Sequence, residues 1–214
     1  NLHILTNAAV SRVIFDKGHA TGVEVLIGRE MQRIRSAREV ILCAGAFNTP
    51  KILMLSGIGQ AEHLKRFAIP VIAEAPEVGA NLQDHTEVHV QYRCIQPITL
   101  FRELSPLKKL YNGTRWMINR SGQAATNHYD TGAFLFADER AKHPDCQLHF
   151  VPIVYNNSVE RRVDCHGFRV HAGPMRPVSR GTVTLRSADP RDPPVIQPNY
   201  FSEPKDWLDM RRII

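Results

Sequence analysis

One stretch of this sequence holds residues whose types and spacing could do chemistry. In AGAFNTPKILMLSGIG, Ala44 to Gly59, small residues lead directly into an apolar helical run. A helix that begins there offers unpaired N–H groups and a partial positive charge, which suit an anion or a polar ring edge. Ala44, Gly45 and Ala46 leave room for a bulky ligand to approach the backbone, and Asn48 and Thr49 stand at the helix start. The same residues serve equally a capped core helix, with Thr49 as N-cap, Pro50 at the first helical position and Gly57 just past the end. A dinucleotide fingerprint is absent, since Gly57-Ile58-Gly59 is followed by QAE and comes after a helix rather than a strand. CQLHFVPIVY alternates as a strand, with His149 and Val151 on one face, a pattern that sheet packing alone accounts for. No metal site is expected: the cysteines form no CxxC pair, and His166 and His171 bracket a strand without a third ligand at metal spacing.

The elements that must position these residues read as follows. NLHILTNAAVSRVIFD predicts two short strands, KGHA a turn and TGVEVLIG a third strand. REVILC then delivers the chain through a buried strand, Val40 to Cys43, to the small-residue turn. QAEHLKRFAI predicts a short helix with Leu64 and Phe67 on one face. From about Thr86 the texture changes to alternating strands: EVHVQYR, AFLF, LHFVPIV, FRVHA and TVTL. SPLKKLYNGTRWMINRSG is helical, with Leu107, Leu110, Tyr111, Thr114, Met117 and Ile118 near helical spacing, and a terminal helix follows Ser202 as N-cap. The fold class expected is α+β: between Thr86 and Asn199, one antiparallel sheet of five or six strands with helices on one face.

Composition removes several classes of function. The chain has 214 residues, 43% hydrophobic and 22% charged, with a net charge of +6. Its Lys and Arg are scattered among acids, so no nucleic-acid partner is expected. No apolar run approaches the roughly 18 residues that cross a membrane. Four unpaired cysteines suit a reduced, cytoplasmic setting, with peripheral contact at the inner membrane as the alternative. The chain opens inside a strand pattern and closes inside a helix pattern, which predicts an internal piece of a longer protein.

REVILCAGAFNTPKILMLSGIG resembles the second signature of the glucose-methanol-choline (GMC) family of flavin-dependent alcohol oxidoreductases, matching at Gly45, Thr49, Pro50, Leu53, Met54, Ser56, Gly57, Ile58 and Gly59. NLHILTNAAVSRVIFDKGHATGVEV is similar to the strand pair before that signature, VGANLQDH to its VGxNLQDH loop, and MRPVSRGTVTL onward to its SRG segment and the run into the last helix. The likeness covers nearly the whole chain and is nearest to the choline dehydrogenase-like branch.

The resemblance implies a division into a partial FAD-binding domain, residues 1–83, and a substrate-binding domain, residues 84–214, truncated before the catalytic His segment. It implies FAD as cofactor of the full-length protein, a small-molecule alcohol as substrate, and the remaining N- and C-terminal segments as partners of this piece. Val10 corresponds to a strand near the adenine end of FAD, and Ala44, Gly45, Ala46, Asn48 and Thr49 to the turn and helix start beside the dinucleotide. Asn81, Asp84 and His85 correspond to a loop near the cofactor, although turn chemistry accounts equally for Asn81 and Asp84. His149 and Val151 correspond to a strand along the substrate cavity, although sheet packing also accounts for them. In such enzymes a hydride passes from the alcohol carbon to flavin N5 while a His takes the hydroxyl proton. That His is absent here, so no catalytic residue is assigned and the piece alone is expected to be inactive and not to retain FAD. The alternative is a non-catalytic binding module that reuses the same sheet.

Overall fold

A computed structural model describes residues 2–129, 131–156, 161–162 and 165–214. In chain order the strands are β1 (Ala8–Asp16), β2 (His19–Ile27), β3 (Glu30–Arg35), β4 (Ile58–Gly59), β5 (Ala73–Glu74), β6 (Val88–Arg93), β7 (Thr131–Leu135), β8 (Cys146–Val151), β9 (Tyr155–Asn156), β10 (Arg161–Arg162), β11 (Gly167–Pro174), β12 (Thr182–Thr184) and β13 (Val195–Gln197). The helices are α1 (Gly45–Leu55), α2 (Ala61–Arg66), α3 (Pro106–Asn119) and α4 (Pro204–Ile213). Two compact units result, one of Asn1–Asp84 with Ser179–Ser202, the other of His85–Val178 with Glu203–Ile214. Among the described residues no helix is long and apolar enough to cross a membrane.

In the first unit, β1, β2 and β3 form an antiparallel meander. Lys17 (φ 48) and Gly18 (φ 83) are both left-handed, the geometry of a two-residue hairpin turn that follows the natural strand twist. The first stretch makes one strand rather than two: Asn7 at φ 55 interrupts the extended run, and Leu2, Ile4 and Leu5 remain exposed. The buried strand expected at Val40–Cys43 is likewise not formed. Those residues have no strand partner among the described residues, and Ile41 is 73% exposed. An extended segment becomes a strand only where another edge accepts its hydrogen bonds.

Helix α1 starts at Gly45, so Ala44 rather than Thr49 is the N-cap and Pro50 lies inside the helix. Pro50 has no N–H to return to the preceding turn. Thr49 laces that turn instead, its Oγ accepting the Ala44 N–H at 3.0 Å. Gly57, left-handed at φ +85, ends the helix as expected, and a Cβ there would lie 2.4 Å from the Pro70 carbonyl oxygen. Met54, Leu55, Leu64 and Leu185 form the core, with Phe67, Ile69 and Val78 packed against it.

Leu185 shows why residues 179–202 join this unit rather than the sheet after residue 84. Leu82 and Gly181 exchange backbone bonds of 2.9 and 2.8 Å, and the Val183 N–H donates to the Gly79 carbonyl at 2.6 Å. Gly79 permits that approach, since at φ +80 its Cβ would fall 2.0 Å from the Val183 oxygen. The Leu185 N–H donates to His63 Nε2 at 3.1 Å. Burial, aided by the charge of Arg66, holds the His63 pKa below its usual 6.5, so the neutral ring that accepts this bond prevails at neutral pH.

The folded pKa of His63 is the lower one, so the unfolded chain takes up the proton first as pH falls. The stability it contributes is complete above the unfolded value and is lost as pH drops below it. Hydrogen exchange of α1 amides should show the first unit weakening from about pH 7 to pH 5, with a shallower slope in His63→Ala.

The second unit is built on one antiparallel sheet in the order β6-β11-β8-β7. Four of the five predicted strands supply it. The sheet has four strands rather than five or six because TVTL, as β12, pairs with β13 in the first unit. The β9–β10 pair forms a separate two-stranded ladder. Helix α3 forms as expected, but its apolar stripe is exposed: Leu107 81%, Leu110 70%, Met117 69% and Ile118 79%. Its buried residue is Asn112, whose amide donates to Glu103 at 2.9 Å. Helix α4 begins with Pro204 after Glu203, one residue later than a Ser202 cap implies. Its Asp206, 1% exposed, accepts the Val178 N–H at 2.7 Å and ties the helix to the chain leaving β11.

Candidate functional site

The sheet of the second unit sets three histidines in one row. In register, His171 of β11 stands opposite His89 of β6 on one side and His149 of β8 on the other. Residues directly opposite across antiparallel strands project to the same face, so the three imidazoles share it. Glu87 lies two residues before His89 and joins them by the period-two rule. Its Oε2 accepts a hydrogen bond from His171 Nδ1 at 2.9 Å and lies 3.6 Å from His89 Nε2. The His89 and His171 rings pack against each other, tilted by 43°, with centroids 4.0 Å apart, and Tyr129 sets its ring edge-to-face at 5.8 Å from both His149 and His171.

The electrostatics of the row follow from burial and this hydrogen bond. Burial raises the Glu87 pKa, but the His171 bond and the neighbouring imidazoles outweigh it, and the net direction is down. Burial also drives the His171 pKa down against the pull of Glu87. The consistent state is a neutral His171 whose Nδ1–H is donated to an ionised Glu87, because a carboxylate only accepts. His171 is 6% exposed, and its Nε2 has no hydrogen-bond partner.

A cavity of about 930 Å³ adjoins the row. His89, Tyr129, Val151 and Arg169 line it together with Asn112 of α3 and Ile153. Val151, predicted to face substrate, is therefore on the wall. His149 is brought into the histidine row instead. Sequence does not single out Glu87, His89 and Tyr129, and it weighs His171 only beside His166, without a third ligand: EVHVQ and FRVHA alternate as strands, and nothing local shows which residues of two strands stand opposite.

In the first unit a smaller groove of about 390 Å³ collects part of the expected cofactor set: Ala46, Thr49 and Asn81, with Gly79 and Val183. Asn81 is left-handed at φ 57. Ala44, Gly45 and Asn48 are exposed at the same helix start, whereas Val10, on β1, is 37% exposed and outside the groove. Asp84 accepts the Tyr200 hydroxyl within the first unit, and that bond raises the Tyr200 pKa. His85 belongs to the second unit, where its Nε2 donates to the Met175 carbonyl at 2.9 Å. Both bonds anchor the chain locally, and neither residue lines the groove.

An α+β chain with this signature helix and this sheet defines an oxidoreductase class. Residues 1–87 match the N-terminal model of the GMC oxidoreductases and residues 177–214 the C-terminal one, and the chain belongs to that family. It is 45% identical over 210 residues to the oxygen-dependent choline dehydrogenase of Brucella canis, covering 98% of this chain and 38% of that protein. Against the oxygen-dependent choline dehydrogenase of Cronobacter sakazakii the identity is 42% over 216 residues, 100% of this chain and 39% of that protein. A solved structure of Aspergillus oryzae formate oxidase, from work on its FAD modification, superposes with a TM-score of 0.87 at 28% identity and covers 96% of this chain and 41% of that one. The chain thus spans 38% of the length of the first of these curated relatives.

The residues present fit one edge of FAD. The first turn of α1 contains no acidic residue, and Ala44 supplies no side-chain cap, so the N–H groups at the helix start suit a negatively charged or polar ligand edge. The glycine-rich turn that holds a pyrophosphate is not in this sequence.

Proposed function

We propose that this chain is the middle portion of a flavin-dependent alcohol dehydrogenase whose substrate is a cationic primary alcohol of the choline type. FAD, when bound, accepts the hydride released from the alcohol carbon. The observation that carries the substrate class is Glu87, a carboxylate held ionised by the His171 N–H and lying 3.6 Å from Nε2 of His89, which together with Tyr129 lines the cavity. A quaternary ammonium carries no N–H and is recognised by charge and by aromatic rings. The relatives named as choline dehydrogenases support the reading. Arg169, two ladder positions from His171, lines the same cavity and repels a cation, so the ammonium is directed to the His89 side, next to Glu87, and the hydroxyl away from it. In the first unit, the α1 start and the Asn81 turn contribute one edge of the cofactor site. A lone helix end gives an exposed anion only about 0.3–1 kcal/mol, so the chain by itself retains no FAD and turns over no alcohol.

The test uses the full-length protein and two isosteres, choline and 3,3-dimethylbutan-1-ol, which differ in the charge of the head group. Anaerobic flavin bleaching should be faster with choline by at least about tenfold in kcat/KM. Equal rates for the two alcohols would remove the cationic substrate class, and no bleaching with any primary alcohol would remove the dehydrogenase reading.

A further inference from the structure

The geometry points to a divalent metal site of the zinc type at Glu87, His89 and His171, formed by the sheet of the second unit and independent of flavin chemistry. Two imidazoles and one carboxylate are a donor set that Zn²⁺ takes, and each supplies an atom lying within 4.8 Å of the other two. The separations of Glu87 Oε2 from His171 Nδ1 and from His89 Nε2, 2.9 and 3.6 Å, bracket the edge of about 3.3 Å expected for a tetrahedral ion with bonds near 2.0 Å. Two of the three ligands, His89 and His171, are held by the paired strands β6 and β11, and Glu87 sits in the residue immediately before β6.

His171, more than nine-tenths buried, donates its Nδ1–H to Glu87 when the site is empty. To ligate an ion between these atoms, Nδ1 would give up that proton and the ring would carry its N–H at Nε2, so the ion would replace the hydrogen bond to Glu87. His149, in register on the far side of His171, adds a neighbouring imidazole. The side chains of His89 and Glu87 are 29% and 39% exposed, which gives an ion a path from solvent. Such an ion would also oppose a cationic alcohol at Glu87, so metal and substrate compete for this carboxylate under the reading above.

The experiment is calorimetric titration of ZnCl₂ into the 214-residue chain carrying Cys43→Ser, which removes the exposed thiol as a competing ligand. One equivalent should bind with a dissociation constant of about 10 µM or tighter. His89→Ala and Glu87→Gln, both at accessible positions, should each weaken it at least about tenfold, while His128→Ala should leave it unchanged. Far-UV circular dichroism of each variant establishes that the sheet is intact. Absence of a binding event tighter than about 100 µM, or an affinity that survives both His89→Ala and Glu87→Gln, overturns the proposal. Because the readout is heat of binding without flavin or alcohol, its failure leaves the alcohol dehydrogenase reading standing, and the reverse also holds.

Discussion

Leu64→Ala should destabilise the first unit by about 2–5 kcal/mol, the range for a large aliphatic side chain deleted from a packed core. Leu64 is 0% exposed and sits among Met54 and Leu55 of α1 and Leu185 from a stretch distant in sequence. The bonds that tie residues 181–183 to residues 79–82 oppose movement of the Leu185 side of the core into the cavity. Leu107→Ala, at a residue 81% exposed on α3, should stay within about 0.5 kcal/mol. The chain's two tryptophans, Trp116 and Trp207, both lie in the second unit, so intrinsic tryptophan fluorescence is blind to the Leu64 change. Hydrogen exchange of the α1 amides reads it directly. Equal effects of the two substitutions on those amides would show that the core is not where the structure puts it.

Glu87→Gln in the full-length enzyme should lower kcat/KM for choline by about 30- to 150-fold, which corresponds to losing 2–3 kcal/mol of charge-assisted interaction. The amide keeps the volume of the carboxylate and still accepts the His171 Nδ1–H through its oxygen. What is lost is the negative charge. Turnover of 3,3-dimethylbutan-1-ol, which has no charge to recognise, should therefore change by no more than about threefold. Steady-state kinetics with both alcohols checks this, and a parallel fall for the two would assign Glu87 a structural role in the sheet instead.

Much of this was legible from local chemistry. The hairpin at Lys17-Gly18, the helix that stops at Gly57, the burial of Leu64 and the strands of the second sheet are all set by propensities and periods within a few residues of one another. The long, ordered GMC signature was legible for the same reason, being contiguous. What misled the reading were features that depend on a distant partner. Thr49 has the chemistry of an N-cap, yet its hydroxyl reaches back to the Ala44 N–H because Gly45 starts the helix earlier. Val40–Cys43 has the composition of a buried strand, but composition cannot supply a neighbouring edge. Residues 182–184 alternate like their sheet-forming neighbours, and only the close approach permitted by Gly79 draws them into the other unit.

By itself the sequence determined the class of elements, the signature helix with its open N-terminus, and the strand that carries His149 and Val151. Only the tertiary structure decided that His89, His149 and His171, which lie 60 and 22 residues apart along the chain, stand side by side with Glu87. The physical reason is register. Each strand's own alternation fixes which residues share its faces, but which residue of β6 or β8 stands opposite His171 depends on hydrogen-bonded pairing with a strand distant in sequence, and a slip of one residue would turn Glu87 and the imidazoles to opposite faces of the sheet.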